Sequence, residues 1–365
     1  MKNAITLFIT LLMFSFGNAQ IPSGYYNAAA GLTGYSLKTK LKEIVSNGHQ
    51  DKGYAGLWDA YKIGDLDKFY ENDNTILDIY SEKPAGPDTY NYTPAVNQCG
   101  GTTPASEGGC YNREHLFPQG FFDEVNQGFP MKNDYLHVMP TDNVVNGKRN
   151  NYPFGTVGSA TWTSTNGSKL GVSNFPGFLG IVFEPIDEFK GDVARSLLYF
   201  ITRYEDQLQN FDYNDVNNPQ DGSKNRGFDQ WYINLLMLWH KNDPVSPKET
   251  ARNNYAYVYQ KNRNPYIDHP EYVAMIWTST LSTDENTVAK NDLKISQNPV
   301  RNGELVVSGE NIGKIGSAQI ISVTGQVLQT VFEPFKNSDR IVLKNTAKGV
   351  YFLKTAEQTL KFILE

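Results

Sequence analysis

Residues 111–155 hold the side chains of this chain best suited to chemistry: Glu114 beside His115, then a polar run that ends at Asn146. Hydrolysing a phosphodiester requires an activated water, stabilisation of charge on the phosphorane, and help for the departing 3′ oxygen. A neutral imidazole supplies the first, because its pKa lies near working pH. One oxygen-liganded divalent cation supplies the other two, and Mg²⁺ takes only one or two protein oxygens while keeping several waters. Mn²⁺ or Ca²⁺ could use the same donors. Glu114 and the side-chain oxygen of Asn146 make such a pair, with His115 as the base. Neighbours on a strand face opposite ways, so Glu114 could reach the metal while His115 faces the phosphate. Each residue also has a plainer reading. Acid–histidine neighbours are common, and Asn146 could cap a helix or hold a left-handed turn before Gly147.

The elements that must position these groups are strand, connection, strand and helix, the first strand being too irregular to read from its pattern. Upstream, Leu37, Leu41, Ile44 and Val45 fall at helical spacing within Tyr35–His49, and Thr75–Tyr80 reads as a strand. Gly, Pro and Asn fill 84–109, which predicts a long loop. Downstream, Asp187–Leu208 is predicted as a helix with Val193, Leu197, Phe200, Ile201 and Tyr204 on one side. Arg195 and Arg203 then share half of its surface, either on a salt-bridged solvent face with Asp192 or as phosphate contacts. Gln230–His240 reads as a buried helix, and Ser246-Pro247-Lys248-Glu249 is a capping box that opens another. His269 precedes a proline in a turn; His49 and His240 look incidental.

At 365 residues, 39% apolar and 13% aromatic, the chain can bury a large core and a small one. Residues 1–19 have one Lys, an apolar run from Ala4 to Phe16, and small residues at Gly17 and Ala19, the pattern of a secretory signal peptide. That run is short for a membrane span, and no other stretch approaches a transmembrane segment. An exported, monomeric protein is expected. Its two cysteines, Cys99 and Cys110, read outside the cytoplasm as one disulfide that stiffens the approach to Glu114, with zinc binding the alternative. The net charge of −6 counts against a nucleic-acid binder that works through a basic surface. An enzyme needs only a local positive groove, to which a metal contributes.

Here the chain resembles the bacterial endonuclease I group of secreted nucleases, of the ββα-metal or His-Me finger class. The matching residues are Arg113-Glu114-His115, Asp134 with Leu136-His137-Val138-Met139-Pro140, and Val145-Asn146-Gly147-Lys148-Arg149-Asn150-Asn151. Later stretches from Glu184-Pro185 to Arg195 and from Asn262 to Tyr272 extend the likeness over roughly residues 35–280. The resemblance implies His115 as general base, Glu114 and Asn146 as metal ligands, and 5′-phosphate products. It keeps the family's nine-residue step from His137 to Asn146. Two departures stand out. Tyr135-Leu136-His137 replaces the family's usual Leu-His-His or Leu-His-Asn, and residues 116–133 lack the arginine that family members tend to carry for charge at the phosphate. Arg149, Arg195 and Lys132 are the candidates for that role, with Asn150 a further phosphate contact. Asp142 and His137 are candidates for supporting positions around the metal or structural ones.

From Ser282 the texture changes: 282–291 reads as a linker, and short apolar runs near 293–295, 305–307, 320–323, 341–343, 351–353 and 362–364 read as a small β-sandwich. Gln297-Asn298-Pro299-Val300, Ser322-Val323-Thr324-Gly325-Gln326 and Gly349-Val350-Tyr351-Phe352-Leu353-Lys354 resemble the C-terminal sorting domain of proteins exported by the type IX system of Bacteroidetes. The expected plan is thus α+β: signal peptide 1–19, mixed α/β nuclease domain 20–281, linker 282–291, sorting domain 292–365. The leading reading is a secreted, sequence-nonspecific, metal-dependent endonuclease on DNA, with RNA left open as a further substrate and the type IX machinery as its export partner. Alternatives are a phosphodiesterase on small extracellular substrates, or a non-catalytic surface or adhesive protein with a degenerate nuclease domain.

Overall fold

A computed structural model of the chain describes residues 21–101, 103–122, 130–211, 215, 217–278, 293–309, 312–322, 327–344, 346–355 and 359–365. The expected signal peptide and linker lie outside them. The chain divides into two compact units, with the boundary between Thr283 and Asp284. It is an α+β protein.

In the first unit, α1 (Gly34–Ser46) buries Leu37, Leu41 and Val45, one residue per turn on a single stripe. A second helix, α2 (Gly53–Gly64), buries Leu57, Ala60 and Tyr61 and has no counterpart in the sequence reading. The central piece is β1 (Tyr111–His115), antiparallel to β2 (Val138–Asp142), followed at once by α3 (Asn143–Arg149). Glu114 lies opposite Met139 and His115 opposite Val138. Beneath this piece the rings of Phe117 and Phe200 stack at 4.5 Å, and Phe200 meets His137 edge-on at 4.6 Å. A three-stranded antiparallel sheet of β3 (Val157–Thr163), β4 (Lys169–Ser173) and β5 (Ile181–Glu184) follows in simple succession.

The long helix α4 (Lys190–Arg203) packs against α1 and against α5 (Gln230–Asn242), and every residue from Gly191 to Arg203 is buried. It therefore has no solvent face, which corrects both readings of Arg195 and Arg203. The pattern led astray because buried ion pairs leave the same polar positions in a helix as exposed ones. The predicted helix also stops at Arg203; Leu208–Asn210 is a separate 3₁₀ turn. As expected, α6 (Pro247–Gln260) opens with the Ser246–Glu249 capping box. Two short helices, α7 (Pro265–Asp268) and α8 (Glu271–Trp277), complete the unit.

Thr75–Tyr80 is not a strand. Ile76 donates to the Tyr92 carbonyl and Leu77 to that of Asp65, so its backbone partners come from different loops, and one isolated bridge links Ile76 to Leu66. Its apolar residues, Ile76, Leu77, Ile79 and Tyr80, are nevertheless buried. The stretch 84–101 and 103–109 is irregular, as expected, and Cys99 and Cys110 are joined by a disulfide.

The second unit has two antiparallel sheets. One contains β6 (Lys294–Ile295), β7 (Glu304–Ser308) and β10 (Arg340–Val342), in the order β10-β7-β6. The other contains β8 (Ser317–Ser322), β9 (Val327–Phe332), β11 (Gly349–Thr355) and β12 (Thr359–Leu364), in the order β12-β11-β8-β9. Leu305, Val307, Ile320, Leu353 and Phe362 share one core. β9 is missing from the sequence reading because, as an edge strand, it buries none of its residues, and Phe332 remains 78% exposed.

Candidate active site

Glu114 and His115 leave β1 on opposite faces, and Asn146 comes from the following helix, yet all three line one solvent-open cavity of about 240 Å³. Asp142 makes this possible. As the N-cap of α3, its Oδ1 accepts from the Val144 and Val145 amides, while Oδ2 accepts from Tyr92 and from the Gly108 amide. It thereby fixes where the helix starts and so where Asn146 points. Both carboxylate oxygens are spent on this work, which is the structural one of the two roles expected of Asp142.

The imidazole of His115 is buried, with Nε2 at 3.0 Å from the Lys132 carbonyl. A carbonyl oxygen only accepts, so Nε2 carries the hydrogen and Nδ1 keeps its lone pair. Burial, with a further push from His137, lowers the His115 pKa to about 3. The ring is therefore neutral, as a general base requires. Tyr54 lies nearly parallel to it at 5.9 Å. His137, one residue before β2, is wholly buried, bonded through Nε2 to the Met131 carbonyl at 2.6 Å, and lowered by burial to about 4.

Glu114 is 2% exposed. Its Oε1 accepts from the Tyr80 hydroxyl at 2.8 Å and lies 3.2 Å from the Arg149 guanidinium, and Oε2 has no partner among the described residues. Burial raises its carboxyl to about 7 against the opposing pull of Arg149 and Tyr80. Asn146 donates through Nδ2 to Asn112 Oδ1 at 2.8 Å, which leaves its own carbonyl oxygen as the unused end. A spare carboxylate oxygen and a spare amide oxygen facing one cavity are hard donors, and a buried acid favours a countercharge. The residues fit a divalent cation of the Mg²⁺ type.

The basic candidates separate. Arg149 lines the cavity but is 2% exposed, and its guanidinium donates to the carbonyls of His115 and Leu116 besides facing Glu114. It clasps α3 to the end of β1 and is not a free phosphate contact, a correction to its expected role. Arg195 does not line the cavity; it is fully buried on α4, bonded twice to Glu249 and to the Asp243 carbonyl. Its proposed phosphate contact is withdrawn. Lys132 serves His115 through its backbone oxygen, with its ammonium 5.1 Å from the Tyr54 ring. Asn150 is exposed at the cavity edge, where it ends α3 with φ of 49°.

Three contributors escaped the sequence reading. Arg113 lines the cavity, is half-buried, and holds its guanidinium carbon over the Tyr54 ring, 3.4 Å from the centroid, while donating to the Tyr54 carbonyl. Its place two residues before His115 on β1 puts both on one face, a signal that strand periodicity contained. Asn112 shares the Glu114 face by the same rule. Tyr80 gave no such signal, because its contact with Glu114 spans 34 residues.

The Endonuclease I family model matches residues 33–271. An extracellular ribonuclease of Bacillus amyloliquefaciens is 34% identical over 256 residues, 69% of this chain and 78% of that protein. An extracellular ribonuclease of Bacillus subtilis (strain 168) is 35% identical over 260 residues, with the same shares. The matched span contains the β1-β2-α3 piece and every side chain lining the cavity, so the chain belongs to the Endonuclease I family.

Proposed function

We propose that this chain is a secreted, metal-dependent endonuclease that hydrolyses DNA and RNA with little regard for sequence, leaving 5′-phosphates. The observation that carries this reading is the single cavity shared by Glu114, His115 and Asn146. Membership of a nuclease family supports the nucleic-acid substrate, and the extracellular ribonucleases it resembles bring RNA forward beside DNA. They also support export, and no helix among the described residues is long and apolar enough to cross a membrane.

In this reading His115 Nδ1 takes the proton of the attacking water, while the Lys132 carbonyl holds the ring by Nε2. Glu114 and Asn146 would hold one divalent cation, Mg²⁺ first and Mn²⁺ or Ca²⁺ as substitutes. When bound, it stabilises charge on the phosphorane and the leaving 3′ oxygen. Tyr80 and Asn112 set the orientation of these two ligands. Arg113 takes the place of the missing arginine as the cation nearest the scissile phosphate, with Asn150 at the rim. The C-terminal unit is an export address recognised by a type IX system; deleting it should retain the protein in the cell without changing its rate of cleavage.

Plasmid DNA and RNA should both be cut by purified protein, lose cutting in a chelator, and regain it with Mg²⁺. His115→Ala should lower the rate several hundredfold or more, on the order expected for removing a general base. Metal-independent cutting, or an unchanged rate in that variant, would sink the reading.

A further inference from the structure

The irregular segment between α2 and β1 brings together five carboxylates, Asp67, Glu71, Asp73, Glu82 and Asp88, and no Lys or Arg among the described residues forms an ion pair with any of them. One oxygen each from Asp67, Glu71 and Glu82 lies within 4.8 Å of the others. Oxygens on opposite sides of a Ca²⁺ ion are about 4.6–5.2 Å apart, so these three can bind one such ion together. None of the three lines the Glu114 cavity.

An acidic cluster alone would be a solvated patch, but Glu82 does not fit that description. It is 1% exposed, and its Oε1 is buried without a hydrogen-bond partner. No described Lys or Arg pairs with it. A buried carboxylate left in this way is costly unless a cation or a proton neutralises it. Asp67 is held in place by the amides of Phe69, Tyr70 and Asn72, so its oxygens are fixed before any ion arrives. Glu71 is exposed and opens the cluster to solvent.

We propose that Asp67, Glu71 and Glu82 form a second divalent-cation site, of the calcium type, separate from the catalytic cavity. All three donors are hard oxygens, and a site of mixed exposure built on an irregular segment suits the flexible coordination of Ca²⁺ better than the strict octahedron of Mg²⁺. The ion staples a segment that has little regular hydrogen bonding of its own. Two residues before Glu82, Tyr80 in that segment holds Glu114, and Asp78 accepts from the Asp142 amide, so the staple also steadies the parts of the catalytic site.

The test is calcium titration of the full chain carrying Glu114→Gln and Asn146→Ala, which removes the catalytic donors. Calorimetry should find one Ca²⁺ per chain, and millimolar Ca²⁺ should raise Tm by about 4 °C or more, with little effect from equal Mg²⁺. Adding Glu82→Gln, or Glu71→Gln at the exposed position where folding is least at risk, should weaken calcium binding about tenfold or more. In the otherwise wild-type chain, Glu71→Gln alone should remove one bound calcium. Absence of calcium binding in the first variant, or binding unchanged by both Glu→Gln substitutions, overturns the proposal. Neither result depends on cleavage, so the catalytic reading stands or falls separately.

Discussion

The Tyr80 hydroxyl donates to Glu114 Oε1 at 2.8 Å, so a residue from an irregular segment orients the acid at the centre of the cavity. Tyr80→Phe keeps the ring and removes only that bond. The metal concentration for half-maximal cleavage should rise about tenfold, with the rate at saturating metal little changed, since a hydrogen bond to a charged group contributes about 1.5–3 kcal/mol. A fall in the saturated rate with no change in metal requirement would refute this role for Tyr80.

Arg113 is expected to act on the phosphate, not on the cation. Arg113→Ala should lower the rate about a hundredfold to a thousandfold, the scale for removing one stabilising donor, while the metal requirement remains as it was. Arg113→Lys should recover only part of the loss, because an ammonium cannot reproduce the guanidinium's fork of donors beside the Tyr54 ring, whose centroid lies 3.4 Å from its carbon. Metal titrations of both variants, run beside steady-state cleavage, check this.

Arg195 and Glu249 form a buried pair, and removing one partner strands the other. Arg195→Met should cost about 3–5 kcal/mol in denaturant unfolding. The cleavage rate per folded molecule should stay within about twofold, because Arg195 does not line the cavity. A large fall in that rate with stability intact would restore the phosphate contact withdrawn above.

Asp134 sets part of the acid sensitivity of the fold. Burial alone would raise its carboxyl, but Arg203 at 3.0 Å, with His137, His49 and the Gln260 hydrogen bond, outweighs burial and holds it below the usual range. Because the folded value is the lower one, the proton is bound more readily by the unfolded chain. The contribution is complete above the unfolded value of about 3.9 and is lost as pH falls toward the folded one. The stability gap between wild type and Asp134→Asn, from urea unfolding, should therefore be widest near pH 6 and narrow toward pH 3.

The Cys99–Cys110 disulfide closes a loop with a sequence separation of 11. Chain-entropy arguments give such a loop about 3 kcal/mol, so Cys99→Ser with Cys110→Ser should lower stability by up to that amount. The loop also carries Gly108, whose amide bonds Asp142, so part of the loss should be seen as faster amide exchange at the start of α3. Equal unfolding midpoints with and without reductant would contradict it.

Residue types together with the likeness to a nuclease family marked Glu114, His115 and Asn146 as candidates, while their sharing of one cavity came only with the fold. Local rules of spacing made α1, the capping box of α6 and most of the second unit's strands legible. They failed where the partner is distant. Tyr80 looked like part of a strand, yet its backbone bonds go to separate loops and its hydroxyl to Glu114. Arg195 and Arg149 looked like surface cations, since sequence records charge but not burial; only packing turned them inward to Glu249 and to the carbonyls after β1. Pairing and desolvation depend on what the rest of the chain brings alongside, and that is settled only when the chain folds.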